Sequence, residues 1–111
     1  MHNFDQARQS FLDAMRIQTK LGLVFDNLEV LVGIANLYVH EGRFRTALKL
    51  LGLALYHPRS SADWRERVDY TLKPLQQELP EHVIAENLSL GRELDLYKVS
   101  ELLLNGSTSE F

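Results

Sequence analysis

The feature that most constrains this chain is a pattern that occurs twice. Phe4, Ala7, Phe11 and Ala14 recur about 40 positions later as Phe44, Ala47, Leu51 and Ala54. An aromatic, a small, a large and a small residue at intervals of three and four describe one stripe of an α-helix. The alanines mark places where two helices approach too closely for a larger side chain, and the bulky residues fill the spaces between those contacts. A stripe of this kind marks the second helix of a helical hairpin that must lie against neighbours to bury its apolar face.

The same period of three and four runs through the rest of the chain, with no sustained alternation of the sort a half-buried strand needs. The fold class expected is therefore all-α, with about six helices in one domain over residues 1–105. In the first helix Phe4, Ala7, Phe11, Ala14, Met15 and Leu21 share one face, and Gly22 supplies a stop. A second helix opens near Asp26 or Asn27, sends Leu28, Leu31, Ile34, Ala35 and Tyr38 inward and ends at Gly42. The third begins at Phe44 and closes at His57-Pro58, because the residue before a proline is pushed out of helical geometry.

Ser61 is placed to cap a fourth helix reaching toward Leu79, which Pro74 should kink or break. Pro80 suits the first turn of a fifth helix that Gly91 ends, and Asp95 caps a sixth carrying Leu96, Val99, Leu102 and Leu103. Residues 106–111 read as a flexible tail.

Across residues 28–61 the chain resembles a tetratricopeptide repeat: Ile34, Ala35, Tyr38, Gly42, Phe44, Ala47, Leu51 and Ala54 fall on the family's signature positions in order. It departs from the pattern at Leu31, where an aromatic is usual, at Ala35, where glycine is commoner, and at Pro58, which comes one residue early. The resemblance implies antiparallel hairpins stacked as a short superhelix, with residues 3–22 as the second helix of a partial repeat and residues 62–104 as capping helices. The offset of 40, against about 34 in the family, is similar to the variant repeats at the C-terminal ends of large bacterial regulatory ATPases and transcriptional activators. The run Leu90-Gly91-Arg92-Glu93-Leu94-Asp95-Leu96 resembles the way such arrays terminate. HEAT and armadillo helices have periods near 40 as well and stay open as an alternative.

Composition narrows the chemistry. There is no cysteine, which removes disulfides, thiolate zinc sites and cysteine nucleophiles together. A net charge of −3 disfavours a general phosphate-backbone binder, although Arg43, Arg45, Lys49, Arg59, Arg65 and Arg67 form a loose basic run. The N-terminus has no basic stretch followed by an apolar one, so a cytoplasmic protein with no membrane segment is expected.

Of the four histidines only His82 has a potential ligand at helical spacing, Glu86, and two ligands do not close a metal site. No glycine-rich phosphate loop or serine elbow is present, the carboxylates Glu78 and Glu81 read as a solvated face, and Trp64 and Tyr70 as covering a core edge. No catalytic residue, cofactor or metal is therefore assigned.

What the resemblance leaves is a groove. It turns Glu29, Val32, Asn36, Val39 and His40 toward a concave side, where a protein or peptide partner would lie, and Asn36 offers both donors and an acceptor to a peptide backbone. The expected function is a non-enzymatic interaction scaffold, a regulatory module of a bacterial signalling protein. The alternative is an assembly or capping piece of a signal-transduction ATPase or transcriptional regulator, which would self-associate through the Phe4, Phe11 and Met15 face.

Overall fold

Two glycines decide where the first helices stop. Gly22 and Gly42 have φ of +76° and +80°, a region that costs a residue with a Cβ atom about 1 kcal/mol or more. At the first, the N–H of Leu23 donates to the carbonyl of Gln18 at 2.7 Å and that of Gly22 to Thr19 at 3.2 Å; Arg43 and Gly42 repeat both bonds onto Tyr38 and Val39 at 2.8 and 3.1 Å. Both helix ends thus have their last carbonyls satisfied by the same left-handed turn.

The computed structural model describes residues 4–23, 26–57 and 62–106, without the side chain of Trp64. Among them lie six helices and no strand: α1 Phe4–Lys20, α2 Asn27–His40, α3 Phe44–Tyr56, α4 Ala62–Glu78, α5 Glu81–Arg92 and α6 Leu96–Leu104. The protein is all-α, as its period requires. No helix among the described residues is long and apolar enough to cross a membrane. Ser61, Pro58, Arg59 and the tail beyond Gly106 lie outside the described residues, as does the expected role of Trp64.

Asp95 caps α6 as its position predicts, one carboxylate oxygen accepting from the N–H groups of Tyr97 and Lys98 at 2.8 and 3.3 Å. Of the kink or break expected at Pro74, the break does not occur: α4 runs on through the proline, which sits on the exposed face, where a carbonyl deprived of its partner can be hydrated. Two local expectations need correction. Pro80 stands one residue before α5 in extended geometry, its carbonyl accepting from Val83 and Ile84. Gly91 does not end α5 but lies buried inside it.

The reason for that buried glycine is the most extensive interface of the fold, between α3 and α5. A Cβ atom on Gly52 would stand 2.2 Å from the carbonyl oxygen of Leu88, and one on Gly91 would stand 2.1 Å from that of Lys49. Each helix therefore presses a glycine onto the other's backbone. Lys49 meets Gly91 while Gly52 meets Leu88, so the contacts run in opposite directions along the two helices. On its other side α3 packs on α2, with Ala47 and Ala54 completely or almost completely buried.

α2 is the centre. Val30, Val32 and Leu37 are buried on it in addition to the stripe read from the sequence, since α1, α3 and α4 all pack against it. Only the stripe Glu29, Gly33, Asn36 and His40 is left outside the core, so α2 is enclosed on every face but one. The alanines of the first copy are less enclosed: Ala7 and Ala14 are half-buried, with Ala14 against the core.

α6 turns back to pack on α1, burying Leu96, Val99 and Leu103. Asn27 ties the three elements that meet there. Fully buried, it donates from its amide to Thr19 Oγ1 at 3.0 Å and to Ser100 Oγ at 3.2 Å, joining the ends of α1 and α2 to α6. The radius of gyration, 13.0 Å, is that of a closed globule of this length.

In an ordinary helix Gly→Ala stabilises by about 1 kcal/mol. Here Gly52→Ala and Gly91→Ala are each expected to destabilise by about 1–3 kcal/mol or more, because backbone cannot yield as a side chain does. Chemical denaturation measures both. Asn27→Ala should cost about 1–3 kcal/mol by leaving buried Ser100 without its donor, an effect that Ser100→Ala in the same chain should partly relieve.

Candidate interaction groove

The geometry of α1 against α2 builds the site. Phe4 stacks on His40, Arg8 pairs with Glu41, Phe11 lies on Gly33 and Thr19 bonds Asn27, so the two helices run antiparallel along their whole length. A Cβ atom on Gly33 would come within 2.5 Å of the Phe11 ring. The missing side chain lets that ring settle onto α2, as an isolated glycine inside a helix often serves packing.

α4 approaches the same face of α2 from the other side, leaving an open groove of about 570 Å³. Val32 and Gly33 form its floor, with Glu29 and Asn36 one turn away at either end, and the Phe11 ring forms one wall. The opposite wall is a single stripe of α4, Glu66, Arg67, Tyr70 and Thr71, set by helical spacing. Thr71 is buried and donates its hydroxyl to the Arg67 carbonyl at 3.1 Å. Arg67 reaches across to Glu29 at 2.9 Å, linking α4 to α2.

Three of the five residues expected in a groove are there. Glu29 is exposed at the rim, Val32 is 7% exposed in the floor, and Asn36 is exposed, its amide without a hydrogen-bond partner among the described residues. Val39 and His40 are not. Val39 is half-buried against the core, and His40 lies under Phe4 at a ring separation of 5.3 Å. The cause is the antiparallel pairing, which brings the first turn of α1 over the last turn of α2 and closes the groove there.

The same pairing corrects the expected self-association face. Met15 is fully buried inside the chain, Phe11 is spent on Gly33 and Phe4 on His40. Tyr70 was expected at a core edge; at 78% exposure it is instead an open wall of the groove. Gly33, Glu66 and Thr71 carry no site role in the sequence, while Phe11 is expected there on a self-association face and Arg67 in the basic run. The interior glycine of α2 was the one local signal, and the α4 stripe had none until a neighbour gave it a direction.

The basic run disperses. Arg43 lies 4.7 Å above the Tyr38 ring while Arg67 pairs with Glu29, and Arg59 lies outside the described residues. His82 and Glu86 are both exposed on α5, and no group of three or more His, Asp or Glu suited to a metal ion occurs among the described residues. A smaller cavity of about 200 Å³ between α1, α2 and α6 has Arg8 and Arg43 in its lining, Arg8 being paired with Glu41.

Comparison with known proteins finds no matching family model, no matching curated protein and no matching solved structure.

The Glu29–Arg67 pair is more than half exposed on both sides, and such pairs contribute about 0–1 kcal/mol. Arg67→Ala is accordingly expected to lower stability by less than about 1 kcal/mol, read from a denaturation midpoint. A larger loss would show that its stem carries packing.

Proposed function

We propose that this chain is a non-enzymatic interaction module that receives a peptide or a partner helix in the groove between α1, α2 and α4. One observation carries the reading: an apolar floor and a large exposed aromatic, Tyr70, face the unpartnered amide of Asn36 across an open channel. Tyrosine at the rim of an apolar pocket is the residue type that dominates binding energy at interfaces, because it buries a large area at small entropic cost. An asparagine amide beside it can donate to and accept from a peptide backbone, which sets register. The tetratricopeptide-like pattern supports placing such a module in a cytoplasmic regulatory protein of bacterial signalling.

An assembly role is the second reading, and a specific feature favours it. Ile17, Leu21 and Leu23 are 58%, 68% and 49% exposed near the end of α1, a patch separate from Phe4, Phe11 and Met15. Sedimentation at rising concentration distinguishes the readings: self-association that Ile17→Lys abolishes supports assembly.

For the principal reading, peptides selected from a displayed library on the purified chain should compete for one site. Asn36→Ala and Tyr70→Ala should each weaken the selected peptides by roughly tenfold, about 1.4 kcal/mol, with little change in melting temperature. Unchanged affinity in both variants places binding elsewhere and overturns the proposal.

A further inference from the structure

The groove carries a charge pattern that points to the class of partner. Its lining holds two carboxylates, Glu29 and Glu66, and one guanidinium, Arg67. Arg67 turns toward Glu29 at 2.9 Å, and Glu66 has no ion pair among the described residues. Glu66 and Tyr70 are four residues apart on α4, so their side chains rise side by side from one face of the helix. Both are exposed, and both line the groove. A ring face and an unpaired carboxylate at that spacing are the two halves of a cation receptor, the carboxylate supplying Coulomb attraction and the ring its quadrupole. An anionic segment would meet the unpaired Glu66 carboxylate instead, the Arg67 charge being already engaged by Glu29, and like charges brought together oppose binding.

Resting on the groove reading above, we infer that the site selects a peptide segment in which an arginine or lysine stands beside an aliphatic residue. The cation lies between the Tyr70 ring and the Glu66 carboxylate. The aliphatic side chain rests on Phe11 and Val32, and Asn36 bonds the backbone between them. Arginine should be preferred over lysine, because its flat guanidinium stacks on the ring while donating two parallel bonds to the carboxylate.

The test uses three acetylated, amidated hexapeptides of sequence Gly-Ser-Leu-Xaa-Gly-Ser, with Xaa as arginine, glutamine or glutamate, titrated into the whole chain at low salt and followed by amide chemical shifts. The arginine peptide is expected to saturate with shifts at Phe11, Glu66 and Tyr70 and to bind roughly tenfold or more tightly than the glutamate peptide. Glu66→Gln, at an exposed position, should keep the fold and remove most of that difference, and added salt should do the same. Equal binding of all three peptides in the groove overturns the charge selectivity and leaves the groove reading standing. Absence of groove shifts from any of the three at millimolar concentration overturns both.

Discussion

The fold depends on two helices touching backbone to backbone. α3 and α5 meet at Gly52 and Gly91, each pressed onto a carbonyl of the other, and no side chain larger than hydrogen fits at either point. That approach makes α3 and α5 the most closely associated pair of helices among the described residues, and close approach of backbones favours dispersion between them. It also places α5 on the far side of α3 from α2. The central helix is thus left free to receive α1, α4 and, through Asn27, the returning α6.

The groove is what remains when α1 and α4 approach the same face of α2 from two sides. Its floor is apolar where Val32 and Gly33 meet the Phe11 ring, on the side of α2 whose stripe Glu29, Gly33, Asn36 and His40 is the one not buried in the core. Gly33 lowers the floor on one side by admitting the Phe11 ring. The polar features stand on the rims: Glu29 and Asn36 on α2, Glu66, Arg67 and Tyr70 on α4. Energy from the floor and selectivity from the rim is the usual division at peptide-binding surfaces.

Much of the site was legible in the sequence, and the limits have identifiable causes. Glu29, Val32 and Asn36 share a helical stripe beside one already assigned to the core, so the period alone separates them from Leu31, Ile34 and Tyr38. His40 and Val39 follow the same period and still fall outside, because the period has no information about which element covers the last turn. Tyr70 is the converse case. An aromatic in a polar helix reads as core edge on frequency, and only its place on the α4 stripe that lines the groove leaves it open.

By itself the sequence determined the all-α class, the six helices, the turns at Gly22 and Gly42 and the cap at Asp95. Each of these follows from interactions within a few residues: the period of a helix face, the freedom of glycine at positive φ, a carboxylate reaching its own backbone N–H groups. Tertiary structure alone decided that Gly91 joins two helices where it was expected to end one, that Met15 is buried inside the chain while Phe11 walls the groove, and that α6 returns to α1. Those outcomes rest on contacts between segments far apart in the chain, such as Asn27 with Ser100, and local periodicity is the same whichever distant surface a helix finally meets.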